Sequence, residues 1–397
     1  MNKLIALGFA LLFAMTLNGC QKADQESEPQ AIETTTESEA QPQAVASSAV
    51  VELANKAANW QLAHMDDFSY VRTFQGHTEF DRGWIQGAFY VGLTRWAKTT
   101  NNSIYWQVLQ QKGEAAHWRL GDLVWHADDQ VIAQTYAALA ERNNDLALLQ
   151  PSVTEFQIIL KDRATNTLEF VAGGEAEGSC QRRWCWCDAL FMAPPAWAAM
   201  SRLTGDPVYL DYALEEYQAT VDYLYDQEEH LFYRDSRFFE RRTKNGHKVF
   251  WSRGNGWVFA GLPLLLEELP DSDPRKANYQ ALFIEMAERL ITVQQANGFW
   301  PSSLLDAEEF SIPESSGTGF MVFGLAWGIN NGLLPADKFR APVQAGWGAL
   351  VSAVDDSGRL GWVQQVGYSP EQVQQDDTQL YGVGALLLAA SEMLKLN

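Results

Sequence analysis

The chain has 397 residues, with 29 Lys and Arg against 50 Asp and Glu, for a formal net charge of −21. So acidic a surface repels phosphate backbones and anionic bilayers, which excludes duplex nucleic acid as a partner. The 47% hydrophobic content excludes global disorder, and the 15 Trp stand well above ordinary usage.

The first 20 residues are not part of a fold. Lys3 precedes an apolar run from Leu4 to Leu17, too short for a spanning helix, which reads as a secretory signal. Leu17-Asn18-Gly19-Cys20 resembles a bacterial lipobox, so Cys20 is the expected lipidated N-terminus. Gln21 rather than Asp follows it, as in Gram-negative outer-membrane lipoproteins. A cell-envelope location is therefore expected, with membrane contact only through that lipid. Residues 21–46, rich in Gln, Glu, Ser, Thr and Ala and lacking aromatics, form an expected disordered tether. No further linker interrupts 47–397, which is expected to be one domain.

Three cysteines remain, Cys180, Cys185 and Cys187. A disulfide is expected between Cys180 and one of the other two. The His residues are scattered, which argues against zinc.

Six segments share a polar or Gly-rich start followed by a helical stretch of small and aromatic residues. They begin at Arg82, His126, Cys187, Arg253, Ser316 and Asp376. Each is apolar nearly all round and reads as a buried helix; its glycines allow close helix approach. Amphipathic stretches alternate with them near 49–65, 102–112, 152–162, 207–225, 275–296 and 335–352. Short hairpins are expected near 165–172 and 231–250. Six buried helices alternating with six half-exposed ones predict an all-α (α/α)6 barrel. The inner helices then run parallel, and their N-termini converge on one cavity suited to an anionic ligand.

The residues at that end are the candidate site. Asp188 opens the third inner helix between Trp184, Trp186 and a Pro pair. Burial among aromatics would raise its pKa and the helix dipole would lower it, so the net direction stays open. His126-Ala127-Asp128-Asp129 opens the second, and one of its two Asp side chains faces the cavity. Trp251-Ser252-Arg253-Gly254-Asn255-Gly256-Trp257 opens the fourth, where Arg253 suits a carboxylate and the Trp rings suit a sugar face. Arg234, Arg237, Arg241 and Arg242 make a local basic excess. Ser316 and Gly317 of the fifth helix offer a hydroxyl and backbone donors.

The run Trp-Cys-Asp-Ala-Leu-Phe-Met-Ala-Pro-Pro-Ala-Trp from Trp186, the Trp-Ser-Arg-Gly-Asn-Gly-Trp motif, Pro313–Gly319 and the segment from Asp376 together resemble glycoside hydrolase family 105, the unsaturated rhamnogalacturonyl and related uronyl hydrolases. The resemblance covers roughly residues 65–395 and implies the same barrel. It implies removal of a terminal 4,5-unsaturated uronic acid from lyase-cut oligosaccharides, by hydration of the C4–C5 double bond rather than attack at the anomeric carbon. The family's acid/base Asp falls on Asp188, and its second Asp on Asp128, with Asp129 as the fallback. Asp129, Trp184, Trp186, Arg234, Arg253, Asn255, Trp257, Ser316 and Gly317 are the expected substrate-binding set, with no metal or organic cofactor. One departure stands out. Arg234 follows Leu231-Phe232-Tyr233 where better-known members carry His. This chain is therefore a divergent branch. Its substrate is expected from pectin rhamnogalacturonan, with unsaturated glucuronyl fragments of the sulfated algal polymer ulvan as the alternative. A conventional glycosidase and a non-catalytic sugar-binding lipoprotein are the other two readings.

Overall fold

The computed structural model describes residues 40–72 and 81–396, with side chains from Ser47 onward. The signal segment, Cys20 and the tether as far as Glu39 lie outside the described residues. The expected tether ends earlier than 46, because helix α1 (Ala40–Ala63) already includes its last seven residues. Ala and Gln are good helix formers there, and Pro42 falls in the first turn, where its missing N–H costs nothing.

Helices alternate outward and inward along the chain. After outer α1 come inner α2 (Trp84–Thr100), outer α3 (Ser103–Ala115), inner α4 (Ala127–Gln130) with α5 (Ala133–Asn143), and outer α6 (Gln150–Lys161). Inner α7 (Ala189–Met192) with α8 (Pro194–Thr204) is followed by outer α9 (Val208–Leu224), inner α10 (Ser252–Glu268) and outer α11 (Lys276–Leu290). Inner α12 (Ser315–Asn330), outer α13 (Ala336–Ala353) and inner α14 (Leu380–Met393) complete the set. Each inner helix packs on the next, and α14 closes the ring against α2. This is the expected (α/α)6 barrel.

The two helix classes differ as their sequences require. In α9, Asp211, Glu215, Gln218 and Asp222 are exposed at spacings of three and four, while Tyr209, Tyr212, Ala213 and Tyr217 are buried. In α12, every residue from Ser315 to Gly328 is buried. Inner helices approach closely at glycine. A Cβ on Gly92 of α2 would lie 2.2 Å from the carbonyl oxygen of Gly384 on α14. The third inner helix breaks between α7 and α8 at Pro194, which cannot continue the hydrogen-bond ladder.

The expected hairpins are only partly present. Strands β1 (Tyr225–Asp226) and β2 (Leu231–Phe232) pair antiparallel, and Arg242 bridges Lys248. The stretch 165–172 is irregular; its Phe170 N–H donates to the Ser236 hydroxyl instead of to a partner strand. The disulfide joins Cys180 to Cys185, leaving Cys187 buried and free.

Candidate active site

The starts of the inner helices meet at one end of the barrel. Trp84 of α2 stacks on Tyr381 of α14 at 5.3 Å, and Gly317 of α12 sits against Ser252 of α10. Within this end, three chain segments converge on two carboxyl groups: the turn of α4, the Trp186–Asp188 entry to α7, and the strand exit at Arg234.

Asp188 occupies the residue before α7, yet its side chain makes no cap hydrogen bond and its backbone is already helical. Capping is thus not its task. Its side chain points at Arg234, with Nε 3.6 Å from Oδ2. Arg234 is held in turn by Asp235, fully buried, at 2.7 Å. The Arg234 carbonyl accepts from the Cys187 N–H at 2.8 Å, which ties β2's exit to the entry of α7. Burial pushes the Asp188 carboxyl up, against the pull of Arg234 and Arg253.

Asp128 and Asp129 diverge as adjacent helical residues must. Asp128 receives a side-chain hydrogen bond from Trp186 and feels the charge of Asp188. Burial, then that like charge, push its pKa up to about 7. Asp129 turns back on its own loop, where Oδ1 accepts from the Leu123 N–H at 3.2 Å. Burial lifts it to about 6. Two carboxyls that share a desolvated site and one cation titrate as a unit. Near neutral pH this unit retains a proton, the state a general acid requires.

The sequence model of Glycosyl Hydrolase Family 88 matches residues 53–397. The chain belongs to glycosyl hydrolase family 88. It is a glycoside hydrolase, similar to an unsaturated 3S-rhamnoglycuronyl hydrolase of Alteromonas sp. (strain LOR), 42% identical over all of this chain and 99% of the relative. A protein of the same name from Formosa agariphila is 38% identical over 86% of this chain and 89% of its own length. Among solved structures, a family 88 glycosyl hydrolase from Bacteroides vulgatus superposes with TM-score 0.76 at 28% identity, covering 88% of this chain and 99% of the other. A possible member of the GH105 family from Salmonella enterica, 17% identical over 88% of this chain and 94% of its own, shares the fold at TM-score 0.69.

Several residues expected to face substrate in the hydrolase instead build the wall behind it. Arg253 is fully buried; its two terminal nitrogens donate to the carbonyls of Gln364 and Gln365 at 2.7 and 2.9 Å. The Trp251 and Tyr381 rings hold its guanidinium at 4.4 and 4.8 Å. Its fork is thus occupied, and it acts on Asp188 through its field. Asn255 brackets β2 by exchanging hydrogen bonds with the Phe232 backbone at 2.8 and 3.0 Å, which fixes the strand that delivers Arg234. Trp257 packs on Phe191 and Phe320 at 4.7 and 4.3 Å and plugs the barrel interior.

Trp184 likewise lies in the core beside Tyr212, and its carbonyl accepts from Thr220. Of the expected aromatic walls only Trp186, itself buried, touches the carboxyl pair. Ser316 and Gly317 offer no free donors. Their N–H groups, and the Ser316 hydroxyl, all bond the buried Glu314 carboxylate that caps α12. Arg183 is spent on Glu216, and Arg182 on Asp162 and the Trp125 ring.

Composition and spacing did not single out His126, Gln181 or Asp235. Asp235 had a signal, since a buried Arg needs a partner and Asp235 is its neighbour. Gln181 had none, because its position depends on the path of the 173–181 loop. A cavity of about 1220 Å³ lies at the opposite end of the inner helices, between residues such as Arg202, Pro270, Arg275 and Trp327, remote from the carboxyl pair. Among the described residues, no three His, Cys, Asp or Glu gather as metal ligands would.

Proposed function

We propose that this hydrolase removes the terminal 4,5-unsaturated uronic acid from oligosaccharides produced by polysaccharide lyases, by hydrating the C4–C5 double bond. The observation that carries the reading is the desolvated Asp128–Asp188 pair with Arg234 beside it. The protonated carboxyl, assigned to Asp188, delivers its proton to C4. Positive charge then develops at C5 and the ring oxygen, and the ionised Asp128 stabilises it electrostatically. Asp188, now a base, takes a proton from the water that adds at C5. The hemiketal opens, and the aglycone leaves from C1. Because no carboxylate attacks the anomeric carbon, the usual spacing rules for two-carboxylate glycosidases do not bear on this site.

Arg234 supplies the positive charge that a uronate carboxylate needs. A permanent cation there, where the resembling family has a titratable His, suits a more anionic substrate. That observation, and the shared name of the two relatives, favour a uronyl residue linked to 3-sulfated rhamnose over a pectin fragment. A panel of lyase-cut ulvan, rhamnogalacturonan and glycosaminoglycan fragments tests this by loss of enol-ether absorbance. We expect kcat/KM at least about tenfold higher on the ulvan fragments, the worth of one charge-assisted contact. Higher turnover of rhamnogalacturonan fragments would reverse the assignment. Release from saturated aryl glycosides would instead mark a conventional glycosidase.

The export signal, the lipid on Cys20 and the outer-membrane location belong to this proposal and rest on residues 1–21 alone. Labelling with a radioactive fatty acid, lost in Cys20→Ser, tests them. Among the described residues, no helix is long and apolar enough to cross a membrane.

A further inference from the structure

One buried titratable group has no task in the chemistry above. The His126 ring lies against Trp186, with centroids 4.8 Å apart. Its Nδ1 is 3.9 Å from Asp128 Oδ2 and 3.6 Å from Asp129 Oδ2, buried and without a hydrogen-bond partner. Its Nε2 is 3.0 Å from Nε2 of Gln181.

The amide orientation of Gln181 is not free. Its Oε1 accepts from the backbone N–H groups of Gly173 and Gly174 at 3.0 and 2.9 Å, and a backbone N–H can only donate. The NH2 end therefore faces His126 and donates, so the His126 Nε2 must carry its lone pair. A neutral imidazole with a bare Nε2 has its proton on Nδ1. A second proton on Nε2 would set two donors against each other. We propose that His126 is a positioning residue, locked by Gln181 as the neutral Nδ1–H tautomer, whose N–H steers the Asp128 and Asp129 carboxyl groups.

The lock is built into the covalent frame. Gln181 sits in the single turn Cys180–Arg182, and the Cys180–Cys185 disulfide clips that turn to the segment leading into Trp186 and Asp188. The charged groups facing His126 are Asp128 and Asp129 from its own turn, Glu175 from the glycine loop and Arg234 from the strand exit. The acids favour its protonation. Burial, Arg234 and the Gln181 N–H oppose it, and the ring stays below its ordinary pKa. A donor without charge can follow negative charge between the two acids without lowering either pKa as an imidazolium would. Both separations exceed a hydrogen bond, and a small rotation of either carboxyl closes them.

The tautomer is read directly by nitrogen NMR of the full chain labelled with ¹⁵N-histidine. Six His signals are present, and the one lost in His126→Asn is His126. Protonated Nδ1 and bare Nε2, unchanged from about pH 5 to 8, are expected; an Nε2–H pattern, or ordinary titration near 6.5, overturns the lock. This arm is independent of the proposed reaction, so a wrong substrate assignment leaves it standing. The kinetic arm rests on that reaction. His126→Asn keeps an amide donor near the Nδ1 position and should retain kcat within about fivefold. His126→Phe should lose about 30- to 100-fold in kcat with KM within threefold, as for a misplaced catalytic group, and move the alkaline limb of the pH profile upward. Retention of kcat in His126→Phe, whose ring fills the same space, or an unmoved limb in that variant, would show that the ring only fills space. Equal losses in both variants would overturn the role of the Nδ1 donor.

Discussion

Asp188→Asn is expected to lower kcat by about 10³- to 10⁴-fold, with KM changed by no more than a few-fold. Asn keeps the size and hydrogen-bonding shape of the carboxyl but cannot deliver a proton. Arg234 would keep its bond to buried Asp235, so the fold should survive, as near-ultraviolet circular dichroism can verify. The wild type should lose activity as pH rises through about 7, because the carboxyl pair gives up its shared proton there and becomes fully ionised. Retention of more than a tenth of kcat in Asp188→Asn would remove this residue from the proton transfer.

Asp128→Asn should lose activity and gain stability, and the gain should depend on pH. The folded pKa of about 7 lies above the unfolded value of 3.8, so the native state binds the extra proton between them. Stability is therefore fully present below about pH 4 and falls as pH rises through 7. At pH 8 the desolvated charge costs roughly 4 kcal/mol as an upper bound. Asn carries no charge and can still accept from Trp186. Its melting temperature should exceed wild type by several degrees at pH 8, with most of the difference gone at pH 4. A gain that is equal at both pH values would place the destabilisation elsewhere. Loss of kcat should reach about 10²- to 10³-fold, the worth of one electrostatic contact to the developing C5 cation.

Asp188 and one of the Asp128–Asp129 pair were legible as candidates because polarity at the head of an apolar helix has few explanations, and the resemblance to family 105 pointed to Asp128 within the pair. The alternation of all-round apolar and amphipathic segments similarly exposed the barrel, since only a buried inner ring can use helices such as α12 and α14. The wall behind the site was not legible. Arg253, Asn255 and Trp257 are residue types that bind sugars, but the same types hold a barrel together when backbone carbonyls and rings surround them. Whether a fork such as that of Arg253 is free depends on Gln364 and Gln365, more than a hundred residues away. Ser316 and Gly317 were misread for a nearer reason. Glu314 is three residues from Gly317, and its carboxylate consumes the donors that looked available. The excess of Trp is accordingly spent mainly on packing, as with Trp184, Trp251 and Trp257, all nearly or fully buried.

The charge balance differs between the outer surface and the candidate site. Acids dominate the outer helices, whereas the carboxyl pair is answered by Arg234 and, through its field, Arg253. An acidic enzyme can thus present a locally compensated pocket to a uronate.

The central claim is the order of bond changes, and a single-turnover experiment reads it directly. Enzyme in excess is mixed with an unsaturated uronyl aryl glycoside, and enol-ether absorbance and aglycone release are followed together. Hydration predicts that the double bond disappears no later than the aglycone appears, with a lag in release if ring opening is slow. Aglycone appearing while the double bond persists would contradict it and place the attack at the anomeric carbon.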